Sequence, residues 1–139
     1  MIAYFETSAF LKLLVVEQGS ETVAQAWMAA DSVVAARLLY PEARAGLASA
    51  LRGGRVPKRV YPGRKAALEE HWRELDIVEI TPALAQTAGD LAEQHGLRGY
   101  DAVHLAAVLR IQVDAMVTAD GDLLRAAPKC SVDIIDARS

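Results

Sequence analysis

An α/β fold is what this sequence predicts: a central parallel β-sheet between two layers of helices, a three-layer α/β/α arrangement. Three observations lead there. Short apolar runs rich in β-formers alternate with longer segments of helical period along the whole chain, and such alternation makes parallel sheets with helices on both faces. The chain has 139 residues. That is the size of one domain, 1–139, and enough to bury about two-thirds of its unfolded surface without disulfides or a structural metal. Hydrophobic residues make up 53% and charged residues 24%, the composition of a folded, soluble chain rather than a disordered one.

The elements follow in order. Ile2 to Phe5 is a short apolar run and reads as a buried strand. Ser8 is a capping residue for a helix over Ala9 to Glu17, with Phe10, Leu13 and Leu14 spaced three or four apart, stopped by Gln18-Gly19-Ser20. Ser20 caps a second helix, Glu21 to Ala30, and Ser32 to Ala36 is the next strand. A helix from about Leu38 or Pro41 to Leu51 ends at Gly53-Gly54. Pro57, Pro62 and Gly63 make the following stretch irregular, with a helix over Arg64 to Leu75 beyond it. Asp76 to Ile80 alternates as a strand does. Thr81-Pro82 opens a helix with a capping hydroxyl and a first-turn proline, and that helix runs to His95 before Gly96. Tyr100 to Ile111 is helical, Ala115 to Thr118 a strand, Leu123 to Ala126 a short helix and Val132 to Ile135 the last strand.

Composition excludes several classes. A lone cysteine, Cys130, leaves no disulfide framework and no cysteine-based zinc site. The apolar runs fall far short of the roughly 20 residues that cross a bilayer. The chain opens Met1-Ile2-Ala3-Tyr4-Phe5 and meets Glu6 and Lys12 at once, so no leader is expected and a cytoplasmic location is. Net charge is −3, without the basic surplus usual for nucleic-acid binding. The distribution is less even: Arg52, Arg55, Lys58, Arg59, Arg64 and Lys65 fall in a stretch with no acidic residue. It reads either as a solvated connection or as a rim for phosphates, with Tyr61 available to stack.

Most acidic residues lie on polar helix faces, but a few do not. Glu6 directly follows the first strand. Asp120 follows the strand Ala115 to Thr118, with Asp122 two residues on. Sites in open parallel sheets gather outside the carboxyl ends of the strands. Glu42 and Asp101 open helices among apolar neighbours and can face the same edge. Carboxylates converging without basic partners repel one another, and a hard divalent cation such as Mg²⁺ or Mn²⁺ removes that conflict. Singly, each is also an ordinary turn or cap residue.

The surrounding motifs are more specific. Tyr4-Phe5-Glu6-Thr7-Ser8-Ala9, Pro41-Glu42-Ala43-Arg44-Ala45-Gly46-Leu47, Leu97-Arg98-Gly99-Tyr100-Asp101-Ala102-Val103-His104-Leu105-Ala106 and Val117-Thr118-Ala119-Asp120-Gly121-Asp122 stand in this order. Together they resemble the four motifs of PIN-domain nucleases, over essentially the whole chain. A single short domain of this kind looks most like the VapC toxins of toxin–antitoxin pairs. The resemblance implies a metal-dependent endoribonuclease in which Glu6, Glu42, Asp101 and Asp120 are catalytic and hold Mg²⁺ or Mn²⁺, directly or through water. Asp122 would be an accessory ligand, and Ser8 and Thr118 would orient the carboxylates by hydrogen bonds. It implies RNA as substrate, an antitoxin protein as partner and a homodimer, with no membrane involved. Phe10, Leu13, Leu14 and Trp27 are apolar material for such an interface or for the core.

One departure stands out. The family's first acidic position is usually aspartate, and here it is Glu6, longer by one C–C bond of about 1.5 Å. A misplacement of about 1 Å can cost ~10²-fold in rate, so a weakened domain that works by binding antitoxin, RNA or an operator complex is the alternative reading. A metal-dependent phosphatase fits less well, because no nucleophilic aspartate pair or phosphate-holding lysine motif is present. His104, three residues after Asp101, is a metal ligand or an aromatic that packs and hydrogen-bonds under the site. Arg98 is a cap or surface residue, or a phosphate contact. His71 is expected to be exposed. Trp27, Trp72 and Leu75 are expected in the core or an interface, and Cys130 as a packed, unreactive residue.

Overall fold

The computed structural model describes residues 1–139. Its five strands are β1 (Ile2–Phe5), β2 (Ser32–Ala36), β3 (Asp76–Val78), β4 (Ala115–Thr118) and β5 (Ile134–Asp136). They form one all-parallel sheet in the order β3-β2-β1-β4-β5. The helices are α1 (Thr7–Phe10), α2 (Ser20–Ala29), α3 (Leu39–Arg52), α4 (Tyr61–Glu74), α5 (Pro82–His95), α6 (Gly99–Ile111) and α7 (Gly121–Ala126). No helix is long and apolar enough to cross a membrane.

Strand periodicity sorts the core. Tyr4, Val34, Ala36, Val78 and Met116 point to one face, where they pack with Leu84 and Leu91 of α5 and with Ala102, Leu105 and Val108 of α6. Ala35 points to the other face with Phe10, Leu39, Leu47 and Leu68. Ala3, Phe5 and Val117 lie on that second face too, beside Ala9, Val23 and Ala26. Residues i and i+2 of a strand share a face, so the sheet is buried on both sides and the molecule has three layers, as the alternation of elements predicts.

Topology then selects one edge. From β1 the chain builds outward through β2 and β3, returns, and adds β4 and β5 on the other side of β1. Neighbouring β1 and β4 therefore send their connections to opposite sides. The crevice outside their carboxyl ends is the switch point where doubly wound sheets bind ligands.

Several boundaries differ from expectation, each for a local reason. The first helix starts at Thr7, because Glu6 rather than Ser8 is its cap, and it tightens at Phe10 into a 3₁₀ turn over Leu11–Leu13. Gly19, at φ 93°, occupies the cap position of α2, while the Ser20 hydroxyl takes the Glu17 amide at 3.0 Å. α4 begins at Tyr61, since Pro62 falls in its first turn where a missing N–H costs nothing. β3 ends at Val78, and the exposed Glu79 pairs with Arg37. β5 starts at Ile134, because the Val132 amide turns back to the Ala127 carbonyl at 3.1 Å and its side chain packs into the core. Thr81 caps α5 as expected, accepting from the Leu84 amide at 3.1 Å.

Phe10 and Leu14 are core residues, so the apolar material of the first helix does not form an open surface; Val16 and Met28 are the large apolar side chains exposed there. Trp27 and Trp72 are half-buried and Leu75 is buried. His71 is half-buried rather than exposed, edge-on to Trp27 with centroids 5.1 Å apart. Cys130 is half-buried, and burial pushes its thiol pKa up, away from reactivity.

Gly19 ties the start of α2 to the end of the chain. A Cβ there would lie 1.9 Å from the Ala137 carbonyl oxygen, in a backbone conformation L side chains rarely adopt. Gly19→Ala is expected to destabilise the fold by about 2 kcal/mol or more, from left-handed strain plus overpacking. Urea denaturation with an unchanged m-value checks it.

Candidate metal centre

Three groups of polar side chains assemble at the switch point. The first surrounds Glu6. The Glu6 amide continues the β1–β4 pairing by donating to the Val117 carbonyl at 3.1 Å. Its side chain, in a residue only 5% exposed, turns back over its own helix. One oxygen, Oε2, accepts from the Ser8 amide at 3.1 Å, from the Ser8 hydroxyl, and from the Thr118 hydroxyl at 2.7 Å. The direction of the hydroxyl bonds is set from behind. The Ala119 amide donates to Ser8 Oγ at 2.9 Å, and the Asp120 amide donates to Thr118 Oγ1 at 3.0 Å. A peptide N–H can only donate, so each hydroxyl accepts from the backbone and turns its proton to Glu6.

The second group is Asp101, Asp120 and Asp122, which can each offer a carboxylate oxygen within 4.8 Å of the others. Asp101 stands in the first turn of α6 and is buried. Asp120 caps α7, its Oδ2 accepting from the Leu123 amide at 3.0 Å. Asp122 is exposed on the first turn of α7. The Arg98 guanidinium closes the group: Nε donates to Asp101 Oδ2 at 2.8 Å and Nη2 to Asp120 Oδ1 at 3.2 Å. It lies over the Tyr100 ring, 4.8 Å from the centroid.

Glu42, in the first turn of α3, belongs to a third group. Its Oε1 accepts from the Thr7 hydroxyl at 2.7 Å and pairs with His104 Nε2 at 2.7 Å. Behind His104, Nδ1 meets the buried Tyr4 hydroxyl at 2.7 Å, and the Ala36 amide donates to that same hydroxyl at 3.1 Å. Burial holds the Tyr4 phenol pKa well above its ordinary value, so it stays protonated.

The structure thus divides the five acidic positions marked by sequence. Asp101, Asp120 and Asp122 share a group, Glu6 sits beside them with Ser8 and Thr118, and Glu42 sits with Thr7 and His104. Thr7 joins the last two, following Glu6 in the chain and bonding Glu42. Sequence reasoning missed Thr7 and Tyr4. A tyrosine in a strand buried on both faces carries a hydroxyl that must find a partner, and that was the available signal.

The donor set fits a hard divalent cation. All the candidate ligand atoms are carboxylate oxygens, and a positive group, Arg98, already bridges two of them. Electrostatics point the same way. Burial raises the Asp101 pKa, the Arg98 hydrogen bond opposes that, and the charges of Asp120 and Glu6 raise it further. In return, the Asp101 hydrogen bond raises the pKa of Arg98.

Because folding raises the Asp101 pKa, the unfolded chain releases that proton first. This carboxyl's contribution to stability is therefore present below its ordinary pKa and is lost as pH rises through the raised one. A cation bound to the ionised group reverses the loss by binding only the folded state. At pH 7, Asp101→Asn is expected to leave the metal-free Tm equal to or above that of the parent and to cancel the Tm gain on adding Mn²⁺. Scanning fluorimetry with and without the ion checks both.

Comparison with known proteins gives consistent similarities. The sequence profile described as PIN domain matches residues 3–129. Ribonuclease VapC45 and Ribonuclease VapC49, from two strains of Mycobacterium tuberculosis, are each 40% identical over 121 residues, covering 87% of this chain and 84% of the relative. The fold resembles FitAcB from Neisseria gonorrhoeae, with TM-score 0.70 at 17% identity over 99% of this chain and 98% of that one. It also resembles a chain of a toxin–antitoxin complex from Klebsiella pneumoniae, with TM-score 0.66 at 15% identity over 97% of each.

Proposed function

The chain belongs to the PIN domain family, and we propose that it is a divalent-cation-dependent endoribonuclease, the toxin of a type II toxin–antitoxin pair, acting as one nuclease domain in the cytoplasm. The observation that carries this reading is the trio Asp101, Asp120 and Asp122 at the switch point, with a cationic group already set between two of them. The relatives named as ribonucleases supply the reaction class.

Asp101, Asp120 and Asp122 would hold the cation, with Glu6 and Glu42 beside them. Hard oxygen donors favour Mg²⁺ or Mn²⁺. When bound, the cation supplies activation of water and neutralises charge on the phosphodiester. The chain's own residues do the rest. Ser8 and Thr118 fix Glu6 through one oxygen and leave Oε1 without a protein donor. Arg98, which reaches Asp101 and Asp120 at the edge of the trio, would offer its planar guanidinium to a phosphate oxygen. A groove lined by Ser8, Ala119, Lys12, Arg55 and Glu17, the last paired with both of these bases, runs beside Glu6 to Arg55, one of the exposed bases of residues 52–65. It offers a path for the RNA strand.

An antitoxin would neutralise the same acidic edge with an inserted basic side chain, and a homodimer would cover exposed apolar residues such as Val16 and Met28. The second reading, a weakened domain that works by binding, draws on one observation: a glutamate stands at the end of β1 where the shorter aspartate is expected, and its Oε2 is engaged as the cap of α1 by the Ser8 amide.

Two variants separate these readings. Asp101→Asn is expected to abolish metal-dependent cleavage of a defined RNA. Glu6→Asp is expected to raise the rate, by up to about 10²-fold for a carboxylate restored by about 1 Å. The gain should be larger in Mg²⁺, which demands near-ideal octahedral geometry, than in Mn²⁺. Single-turnover cleavage in each metal checks this. Equal rates in both metals would show a site built around glutamate.

A further inference from the structure

The residues His104 and Tyr4 play no part in the chemistry above, yet both are fully buried polar groups directed at the site. We propose that Tyr4 and His104 are positioning residues for Glu42, forming a one-way hydrogen-bond relay from the β2 backbone that presents this carboxylate to the reacting edge.

The direction of the relay follows from its first donor. The Ala36 amide can only donate, so the Tyr4 oxygen accepts at 3.1 Å. The phenol keeps one proton, and its remaining partner is His104 Nδ1 at 2.7 Å. Nδ1 is therefore the acceptor and Nε2 carries the ring proton. That N–H donates to Glu42 Oε1 at 2.7 Å, with the Thr7 hydroxyl oxygen a longer contact at 3.3 Å. The Thr7 hydroxyl gives its own proton to the same Glu42 oxygen at 2.7 Å.

Two donors converge on Oε1, and Oε2 takes no protein hydrogen bond, so it is the oxygen left to face the site. The imidazole cannot swing: it is 0% exposed and packed edge-on to Tyr4 with centroids 5.9 Å apart. This arrangement does for Glu42 what Ser8 and Thr118 do for Glu6, with a longer reach. It leaves His104 no free nitrogen for a metal.

The proposal rests on the reading of Glu42 as part of an RNA-cleaving site, and the test separates the two. Long-range ¹H–¹⁵N NMR of the metal-free protein reads the His104 tautomer, with the resonance identified by its loss in His104→Gln. The expected result is Nε2–H in the parent and in Tyr4→Phe, with the Nδ1 resonance displaced in Tyr4→Phe, which keeps the ring and loses only the hydroxyl that donates to Nδ1. In Mn²⁺-dependent cleavage, Tyr4→Phe is expected to lower kcat about tenfold with KM for RNA unchanged. His104→Gln, which keeps an amide N–H near the same place, should retain more activity than His104→Leu of equal Tm. Nδ1–H in the parent, or full kcat in Tyr4→Phe, would overturn the relay. A parent protein with no metal-dependent cleavage would overturn the nuclease reading instead, and the tautomer measurement would still decide the geometry.

Discussion

Carboxylates at the ends of β1 and β4 sit where two adverse effects add. Asp101 is buried, and the charges around it include Asp120 and Glu6, of the same sign. Low exposure strengthens both the desolvation cost and the mutual repulsion. Arg98 offsets part of this from a half-exposed position, where a guanidinium is well hydrated and can leave. The acidic edge is thus strained toward cations in general. The donors there are all carboxylate oxygens, drawn close by two helix starts and one strand end.

The scaffold answers that strain by aiming backbone amides through side-chain hydroxyls. The amides of Ala119 and Asp120, freed where β4 ends, orient Ser8 and Thr118 onto Glu6. The Ala36 amide at the end of β2 orients Tyr4 and, through it, His104. In each case a group that can only donate fixes the direction of the bonds beyond it, so the carboxylate at the end receives protons and is not left to turn. The cost is rigidity in a buried network, where a partly satisfied member is expensive. No buried side-chain polar atom in this structure lacks a partner.

Much of this was legible in the sequence, and the reasons for what was not are specific. The five strands are short, apolar and separated by helical segments, which fixes the parallel sheet and the edge where sites gather. The capping assignments were less secure. Ser8 and Glu6 can both cap the first helix, and only the fold shows that Ser8 is occupied by Ala119, a residue far along the chain. β5 moved by two residues because Val132 is claimed by a local turn and the core rather than by β4. Glu42 and Asp101 fall on the expected edge, but spacing along the chain carries no information about which carboxylates share a group. The aspartate trio, the Thr7 link and the Tyr4–His104 chain all arise from contacts between distant segments, so their partners could not be read from local pattern.

The most direct test of the account is where a cation sits and what it displaces. Crystals of the protein soaked in Mn²⁺ should show an anomalous difference peak among the carboxylates of Asp101, Asp120 and Asp122, with the Arg98 guanidinium moved off Asp101 and Asp120. A peak elsewhere, or Arg98 still bridging the two aspartates in a crystal saturated with Mn²⁺, would contradict it.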